Sequence, residues 1–210
     1  MANAAIHKDN LIQSAMRLFR RQGYASSGLQ QILAESGAPK GSLYHYFPGG
    51  KEALAEAAVT HAGRMVAEML AALAKKHRTP EAFLFAYCRQ MAAWMEESDF
   101  RSGCPIATTL LETTPASPAI TAAGERVIDG WIDVISGVLA RGGGTSREAR
   151  SRAQTIIAAV EGSLILARVR RSTKPILDVA ALLEPKPGAR PKAARAAARG
   201  RRSSAQRPEG

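Results

Sequence analysis

Apolar side chains recur at spacings of three and four residues from about residue 11 to about residue 180, which is the period of amphipathic α-helices. Glycine and proline interrupt the pattern, for example at Gly23, Gly37 and Pro80, and divide it into segments of helical length. No segment alternates apolar and polar residues with the period of two that indicates a strand. The sequence therefore predicts an all-α fold of about nine helices.

Three short helices are predicted at the N-terminal end. The first ends near Gly23 and carries an apolar stripe of Leu11, Ile12, Ala15, Met16, Leu18 and Phe19. Ser27 and Gln30 have the spacing of a capping box, so Ser27 is predicted to cap the second helix. Pro39 suits the first position of a third helix over residues 40–47.

The later predicted helices are mostly longer. One spans residues 51–78 and links the two halves of the chain rigidly. Thr79-Pro80 and Ser117-Pro118 are signals for the start of a helix, and Thr145 with Glu148 forms a second capping box.

The net charge of +11 is concentrated at the two ends of the chain. Residues 1–51 contain six Lys or Arg against two acidic residues, residues 184–210 contain eight against two, and the rest is nearly balanced. Clustered positive charge indicates a polyanionic partner. Residues 184–210 also lack large apolar side chains, so they are predicted to form a disordered basic tail.

Several classes of protein are disfavoured. No apolar run approaches the ~20 residues of a membrane span, and the start MANAAIHKDN lacks the apolar core of a secretion signal, so a cytoplasmic protein without membrane contact is expected. Cys88 and Cys104 lie outside any metal-binding or redox spacing and are predicted to be buried thiols. No catalytic set, cofactor fingerprint or metal site is recognisable, so we expect no enzyme.

The second and third short helices have the arrangement of a helix-turn-helix. At about 100° per residue, one side of the third helix carries Leu43, Tyr46 and Phe47, and the other carries Lys40, Gly41, Tyr44 and His45. The second set suits DNA, because lysine seeks phosphates and the two rings can bond phosphates or base edges. Lys51 and the Ser27 cap are predicted to add phosphate contacts. Periodicity alone leaves open a packed bundle whose polar face is merely solvated.

The stretch GYASSGLQQILAESGAPKGSLYHYFPGGKEAL, over residues 23–54, resembles the signature of the TetR (tetracycline repressor) family. FPGGKE at residues 47–52, GCPIA at 103–107 and VEGS at 160–163 resemble the LmrA-like subgroup. The resemblance covers about residues 6–183. It implies DNA contacts from Lys40, Gly41, Ser42, Tyr44 and His45, with Lys51 and Ser27 at phosphates. Pro39 departs from the family, many of whose members have serine there.

The resemblance also implies the organisation and the function of the chain. Residues 1–51 are expected to be the DNA-binding domain, residues 52–183 a helical effector-binding and dimerisation domain, and residues 184–210 the tail. The predicted function is that of a homodimeric regulator of double-stranded operator DNA. It is expected to be a repressor that a small-molecule effector releases.

The helix predicted to start at Ser146 has an apolar face with small residues at Ala158, Ala159 and Gly162. The resemblance implies a four-helix dimer interface here, and the predicted interface residues are Ile157, Val160, Leu164 and Ala167. The residues alone leave open that this face packs inside its own subunit.

An effector pocket is predicted in the C-terminal half. Its candidate residues combine aromatic, polarizable and hydroxyl groups and are Tyr87, Met91, Trp94, Cys104, Thr108 and Trp131. This mix suits an apolar or aromatic effector, and the helix over residues 51–78 would transmit its binding. The same residues also fit an ordinary core.

Two rival functions remain open from the residues. The basic tail would suit a non-specific or architectural DNA binder, because its cations release counterions over any duplex. The second rival is a helical protein that binds small molecules or partners and has lost DNA recognition. The residues that argue against it are Lys40, Tyr44, His45 and Lys51.

Overall fold

The computed structural model describes residues 2–183, and within them it contains nine α-helices, one final 3₁₀ turn and no strand. The helices are α1 (Ala2–Gln22), α2 (Leu29–Ser36), α3 (Lys40–Tyr46), α4 (Gly50–Lys76), α5 (Pro80–Glu97), α6 (Ala107–Thr113), α7 (Pro118–Ala140), α8 (Ser146–Arg170) and α9 (Lys174–Ala180). The all-α prediction is confirmed. The predicted basic tail, residues 184–210, lies outside the described residues.

Side-chain caps fix the starts of three long helices. The Thr79 hydroxyl accepts a hydrogen bond from the Ala82 amide at the start of α5, and Ser117 caps α7 in the same way. At the start of α8, Thr145 and Glu148 form the predicted capping box. The first helix is longer than its apolar stripe indicates, because α1 already begins at Ala2.

The N-terminal half packs around one group of fully buried side chains. Leu11, Leu18 and Phe19 of α1 contact Ile32 of α2 and Leu43 of α3 in a single core that continues into α4. Burial of such side chains supplies roughly 1.5–3 kcal/mol each, which stabilises α2 and α3, two helices too short to be stable alone. The helix α3 is therefore held on α1 by its buried side.

The helix α4 runs from this N-terminal group into the C-terminal half and packs along α7, which in turn packs on α8. Gly63 allows the close approach of α4 and α7, since a Cβ at this position would lie 2.2 Å from Cγ2 of Val127. The Trp131 indole donates a hydrogen bond of 2.9 Å to the Gly63 carbonyl across the same contact. The helix α9 packs on α5 and α8.

Polar contacts join the two halves outside α4. Nε of Arg20 on α1 donates to the Gly103 carbonyl at 2.6 Å. The Ala25 amide, in the turn before α2, donates to Oε2 of Glu112 on α6 at 2.6 Å. The segment from Gly103 through α6 therefore contacts the N-terminal helices directly. None of the helices within residues 2–183 combines the length and the hydropathy that a membrane span requires.

Candidate nucleic-acid interface and enclosed cavity

The position of α3 follows from the residues around it. Gly37 ends α2 in the left-handed region with φ of 64°, a conformation that glycine adopts without strain. Pro39 is the N-cap residue of α3, with φ of −58°. The sequence predicts it one position further on, at the first position within the helix. Leu43 and Phe47 point into the core, with 0% and 4% of their surface exposed. The rotation of α3 about its own axis is fixed by this buried side.

The opposite side of α3 faces solvent. We call this side the outer edge of α3. It consists of the exposed residues Lys40, Gly41, Tyr44 and His45 and of the half-buried Ser42. Tyr44 exposes 52% of its surface, and the His45 ring packs edge-on against Tyr46 with centroids 4.8 Å apart. The predicted separation of a packed side and a free side is found. The outer edge presents one lysine cation and two rings that can bond phosphates or base edges.

Lys51 lies beside the turn between α1 and α2. Its Nζ donates to the Ala25 carbonyl at 3.3 Å and sits 4.3 Å from the centroid of the Tyr24 ring. Burial lowers the pKa of Lys51, and the nearby Glu112 carboxylate opposes that change. These two contacts of Lys51 stabilise the turn. Its predicted contact with a phosphate stays a prediction.

The prediction that Ser27 caps α2 is wrong. The N-cap of α2 is Gly28, which has no side chain to bond the helix. Ser27 is fully buried, its hydroxyl donates to the Gly23 carbonyl at 2.7 Å, and its amide donates to the Tyr24 carbonyl at 3.1 Å. A buried hydroxyl needs an acceptor, and the turn supplies one four residues earlier. Neither group of Ser27 is free for a phosphate in this conformation.

A small enclosed cavity lies in the C-terminal half. Five of the six predicted effector residues line it, namely Tyr87, Met91, Trp94, Cys104 and Trp131. Thr108, on α6, is not among the lining residues. The cavity volume is about 20 Å³, which holds about one water molecule. The residue types indicated five of the lining residues but not the size of the space between them.

Burial favours the neutral forms of the polar groups in this cavity. It raises the pKa of Glu161, an effect that a hydrogen bond from the Cys104 thiol opposes. Burial likewise raises the pKa of Tyr87 and of Cys104 well above their ordinary values, and the Glu161 charge adds to both shifts. The pKa of Cys88 rises to about 12 for the same reason. Both cysteines are buried thiols as predicted, and neither has the character of a nucleophile.

Seven of the lining residues were not predicted as effector residues, and two of them, Glu161 and Arg20, carry an ionisable side chain. Glu161 belongs to the VEGS motif at residues 160–163. It is the one acidic residue among the small and apolar residues of that motif, and this was the signal that could have indicated it. Arg20 lies on α1, more than sixty residues from every other lining side chain except Val66, so no local pattern could indicate it. Burial lowers the pKa of Arg20, which Cys104 and Glu97 oppose. Arg20 therefore brings the N-terminal half into the wall of the cavity.

The predicted dimer face is corrected by the packing of α8. Ile157, Val160, Leu164 and Ala167 are buried against the core of their own subunit, with 8% or less of each exposed. The reason is that α8 packs between α7 and α9 and needs its apolar side there. A second apolar stripe remains exposed on α8 and consists of Ala158, Gly162, Ile165, Leu166 and Val169. We call it the exposed α8 stripe.

Two family models match the chain. Residues 11–58 match the model described as bacterial regulatory proteins of the tetR family. Residues 80–182 match the model described as the C-terminal domain of LmrA/YxaF-like transcriptional regulators.

Whole proteins give the same result. The uncharacterized HTH-type transcriptional regulator YxaF of Bacillus subtilis is 31% identical over 86% of this chain and 94% of its own length. The HTH-type transcriptional regulator LmrA of the same organism is 29% identical over 84% of this chain and 94% of its own length. A solved TetR regulator from Chloroflexus aurantiacus has a TM-score of 0.72 at 28% identity, covering 87% of this chain and 94% of its own. A second, from Legionella pneumophila, has a TM-score of 0.75 at 20% identity, covering 83% and 94%.

Proposed function

Because the chain belongs to the TetR family of bacterial regulatory proteins, with an LmrA/YxaF-like C-terminal domain, we propose that it binds operator DNA as a homodimer. We also propose that a small-molecule effector releases the homodimer from the DNA. The chain is a DNA-binding transcriptional regulator and not an enzyme. We propose that it acts as a repressor in the cytoplasm. One relative of 25% identity, DhaR from Mycobacterium sp. (strain GP1), is named a transcriptional repressor.

The outer edge of α3 is the observation that carries the DNA-binding mode. Lys40, Tyr44 and His45 are exposed on one side of a helix whose other side is buried, so α3 can enter the major groove without unfolding. Gly41 has no atom within 4 Å of the position of a Cβ, which leaves its backbone open to close approach. Lys40 would hold a phosphate, and Tyr44 and His45 would reach base edges or phosphates.

A dimer is needed because a two-fold operator presents two half-sites about 34–36 Å apart. We propose the exposed α8 stripe as its interface, with a second copy of the chain as the occupant. Ile165 and Val169 expose 64% and 78% of their surface, while Ala158 and Gly162 allow another helix to approach closely. A two-fold pairing of this stripe would bury apolar surface that an isolated subunit leaves in water.

The enclosed cavity is the proposed effector site. It is lined by aromatic and methionine side chains with few polar groups, as small-molecule sites are. A space for one water cannot hold an effector, so binding requires the walls to move apart. An effector that binds the expanded form better than the closed form would shift the spacing of the two α3 helices through α4.

Selection of duplexes from a randomised pool, followed by fluorescence anisotropy, tests the DNA-binding mode. We expect the intact protein to prefer a palindrome, and Tyr44→Ala to reduce that preference about 5- to 150-fold, equivalent to roughly 1–3 kcal/mol. Phe85→Ala is the matched control, since Phe85 is an aromatic residue exposed to the same 52%. Lys40→Ala should weaken binding to all duplexes and lower the salt slope of the dimer by about 1.8, which is about 0.9 for each of its two Lys40 side chains. Equal affinity for selected and random duplexes would favour the non-specific binder instead.

Sedimentation tests the proposed interface. Val169→Glu places a charge within the exposed α8 stripe and should convert the dimer into a monomer. Arg168→Glu is the control on the adjacent side of the same helix, and it should leave the dimer intact. A Val169→Glu protein that stays dimeric would place the interface elsewhere.

A further inference from the structure

A carboxylate of the C-terminal half lies in the turn between α1 and α2. Oε2 of Glu112, on α6, accepts a hydrogen bond of 2.6 Å from the Ala25 amide, 87 positions away in the chain. Its Oε1 lies against Gly23, where a Cβ would be only 2.3 Å from that oxygen and where φ is 91°. Both the space and the backbone conformation therefore require glycine at position 23. The fold thus places one negative charge at the edge of the DNA-binding half.

The packing of α6 brings this carboxylate to the turn. Thr109 and Thr113 are buried on one side of the helix, with 1% and 6% of their surface exposed. The Thr113 hydroxyl donates a hydrogen bond of 2.7 Å to the Thr109 carbonyl. The helix packs on α7 and on α1, and Glu112 lies on its exposed side. The rotation of α6 about its own axis therefore directs Glu112 towards Ala25.

Lys51 contacts the same turn through the other polar group of Ala25. Its Nζ donates to the Ala25 carbonyl at 3.3 Å, so the backbone of one residue binds an anion through its amide and a cation through its carbonyl. Burial lowers the pKa of Lys51, and the Glu112 carboxylate is close enough to oppose that change. The protein itself thus offsets part of the positive charge of Lys51, which is a predicted phosphate ligand.

We propose that Glu112 competes with the DNA phosphates for Lys51. Its carboxylate occupies the turn between α1 and α2 and lowers the affinity of the dimer for every duplex. This inference rests on the proposed function and on the predicted contact of Lys51 with a phosphate. It goes beyond them by assigning an acidic residue of the C-terminal half to the DNA interface, where that residue weakens binding.

The effect follows from charge alone. A phosphate that approaches Lys51 also approaches Glu112, and like charges repel. The phosphate must in addition take Lys51 from a carboxylate that favours its charged form. Phosphates have the same charge in every sequence, so the loss of affinity is equal for operator DNA and random DNA. Glu112 is exposed and Lys51 is half-buried, so salt screens their interaction with each other and with DNA.

Glu112→Gln tests the role of the charge, because the amide oxygen of glutamine can still accept the hydrogen bond from Ala25. Fluorescence anisotropy should show tighter binding to both the selected palindrome and a random duplex. We expect a gain of about threefold for each subunit and about tenfold for the dimer at low salt. The gain should shrink between about 0.01 M and about 0.15 M salt, as the Debye length falls from about 30 Å to about 8 Å.

Glu81→Gln is the matched control, because it changes the net charge of the protein by the same amount. Glu81 is exposed at the start of α5. The 27 residues of α4 separate it from Lys51, which is about 40 Å along the helix axis. Its affinity for both duplexes should stay within about twofold of the wild type, since a charge at this distance is screened.

A second pair of variants tests whether Glu112 acts through Lys51. Lys51→Met keeps an unbranched apolar chain beside Tyr24 and removes the cation. In the Lys51→Met background, Glu112→Gln should change the affinity of the dimer by less than about twofold, because the group for which Glu112 competes is gone. A full tenfold gain in that background would show general repulsion and would overturn the competition for Lys51.

The sign of the effect separates competition from a purely structural role. If Glu112→Gln weakens binding to both duplexes, the carboxylate supports the turn and the proposal is wrong. A gain confined to the palindrome would also contradict it, because charge does not distinguish sequences. If the wild-type protein has no preference for a palindrome, the proposed function fails, whereas the comparison on random duplexes still decides the role of Glu112.

Discussion

Two tyrosines show how differently the two proposed binding regions are built. Tyr44, on the outer edge of α3, exposes 52% of its surface, whereas Tyr87, in the cavity wall, exposes 2%. Every residue of the outer edge lies on one helix of seven residues. The cavity instead takes its walls from α1, α4, α5, α7 and α8 and from the segment around Cys104. One region is local in sequence, and the other exists only after the helices have packed.

The chemistry of the two regions differs in the same way. The outer edge keeps its lysine in water, where a cation is stable and available to a phosphate. In the cavity, burial raises the pKa of Glu161 and of Tyr87 and so favours neutral groups among apolar walls. A polyanion suits the first region, and a small, mostly apolar molecule suits the second. The proposed partners of the two regions would therefore be separated by the exposure of the side chains that meet them.

The largest expected effect concerns the two sides of α3. Leu43→Ala removes a fully buried side chain and should lower the free energy of unfolding by about 2–5 kcal/mol. Tyr44→Ala, on the outer edge, should change it by no more than about 0.5 kcal/mol. Urea unfolding at one fixed protein concentration measures both, because a dimer's stability depends on concentration. Similar losses for the two variants would show that the outer edge is not free.

The next largest effect on stability is expected at Gly63, where α4 packs against α7 next to Trp131, a residue of the cavity wall. Gly63→Ala places a methyl group 2.2 Å from Cγ2 of Val127, so α4 and α7 must separate and move Trp131. Overpacking of this kind costs roughly 1–3 kcal/mol, more than the ~1 kcal/mol by which alanine favours a helix over glycine. Gly130→Ala on α7 meets no atom within 4 Å and should stabilise the protein. Thermal melting of both variants should therefore show shifts of opposite sign.

The smallest effect is a dependence of stability on pH that arises in the cavity. Burial raises the pKa of Glu161 in the folded state above its ordinary value of 4.5. The folded state then holds the proton more tightly, so stability is complete below pH 4.5 and falls as the pH rises through the folded pKa. The slope in that window is about 1.4 kcal/mol per pH unit.

Glu161→Gln removes this titration and tests it. Urea unfolding over a pH series should show the wild-type protein losing stability relative to Glu161→Gln as the pH rises. Glu125→Gln, at an exposed position on α7, is the control and should run parallel to the wild type. A constant difference between wild type and Glu161→Gln across all pH values would mean that Glu161 ionises as easily in the fold as in the unfolded chain.

Local sequence determined the helices and the exposed side of α3. The caps at Thr79, Ser117 and Thr145 and the two sides of α3 follow from residues within one or two turns of each other. Such features are decided by hydrogen bonds and side-chain directions that the neighbouring residues already fix. They were predicted without knowledge of any distant contact.

Tertiary packing decided the rest. Ser27 matched a capping box, but its burial gave its hydroxyl to Gly23 instead. The helix α8 has two apolar stripes, and only the placement of α7 and α9 determines that Val160 is inside and Val169 outside. Arg20 reaches the cavity across a contact with Gly103, 83 positions along the chain. Periodicity records which residues share a side of a helix, but which side is covered, and by what, depends on neighbours that lie far away in the sequence.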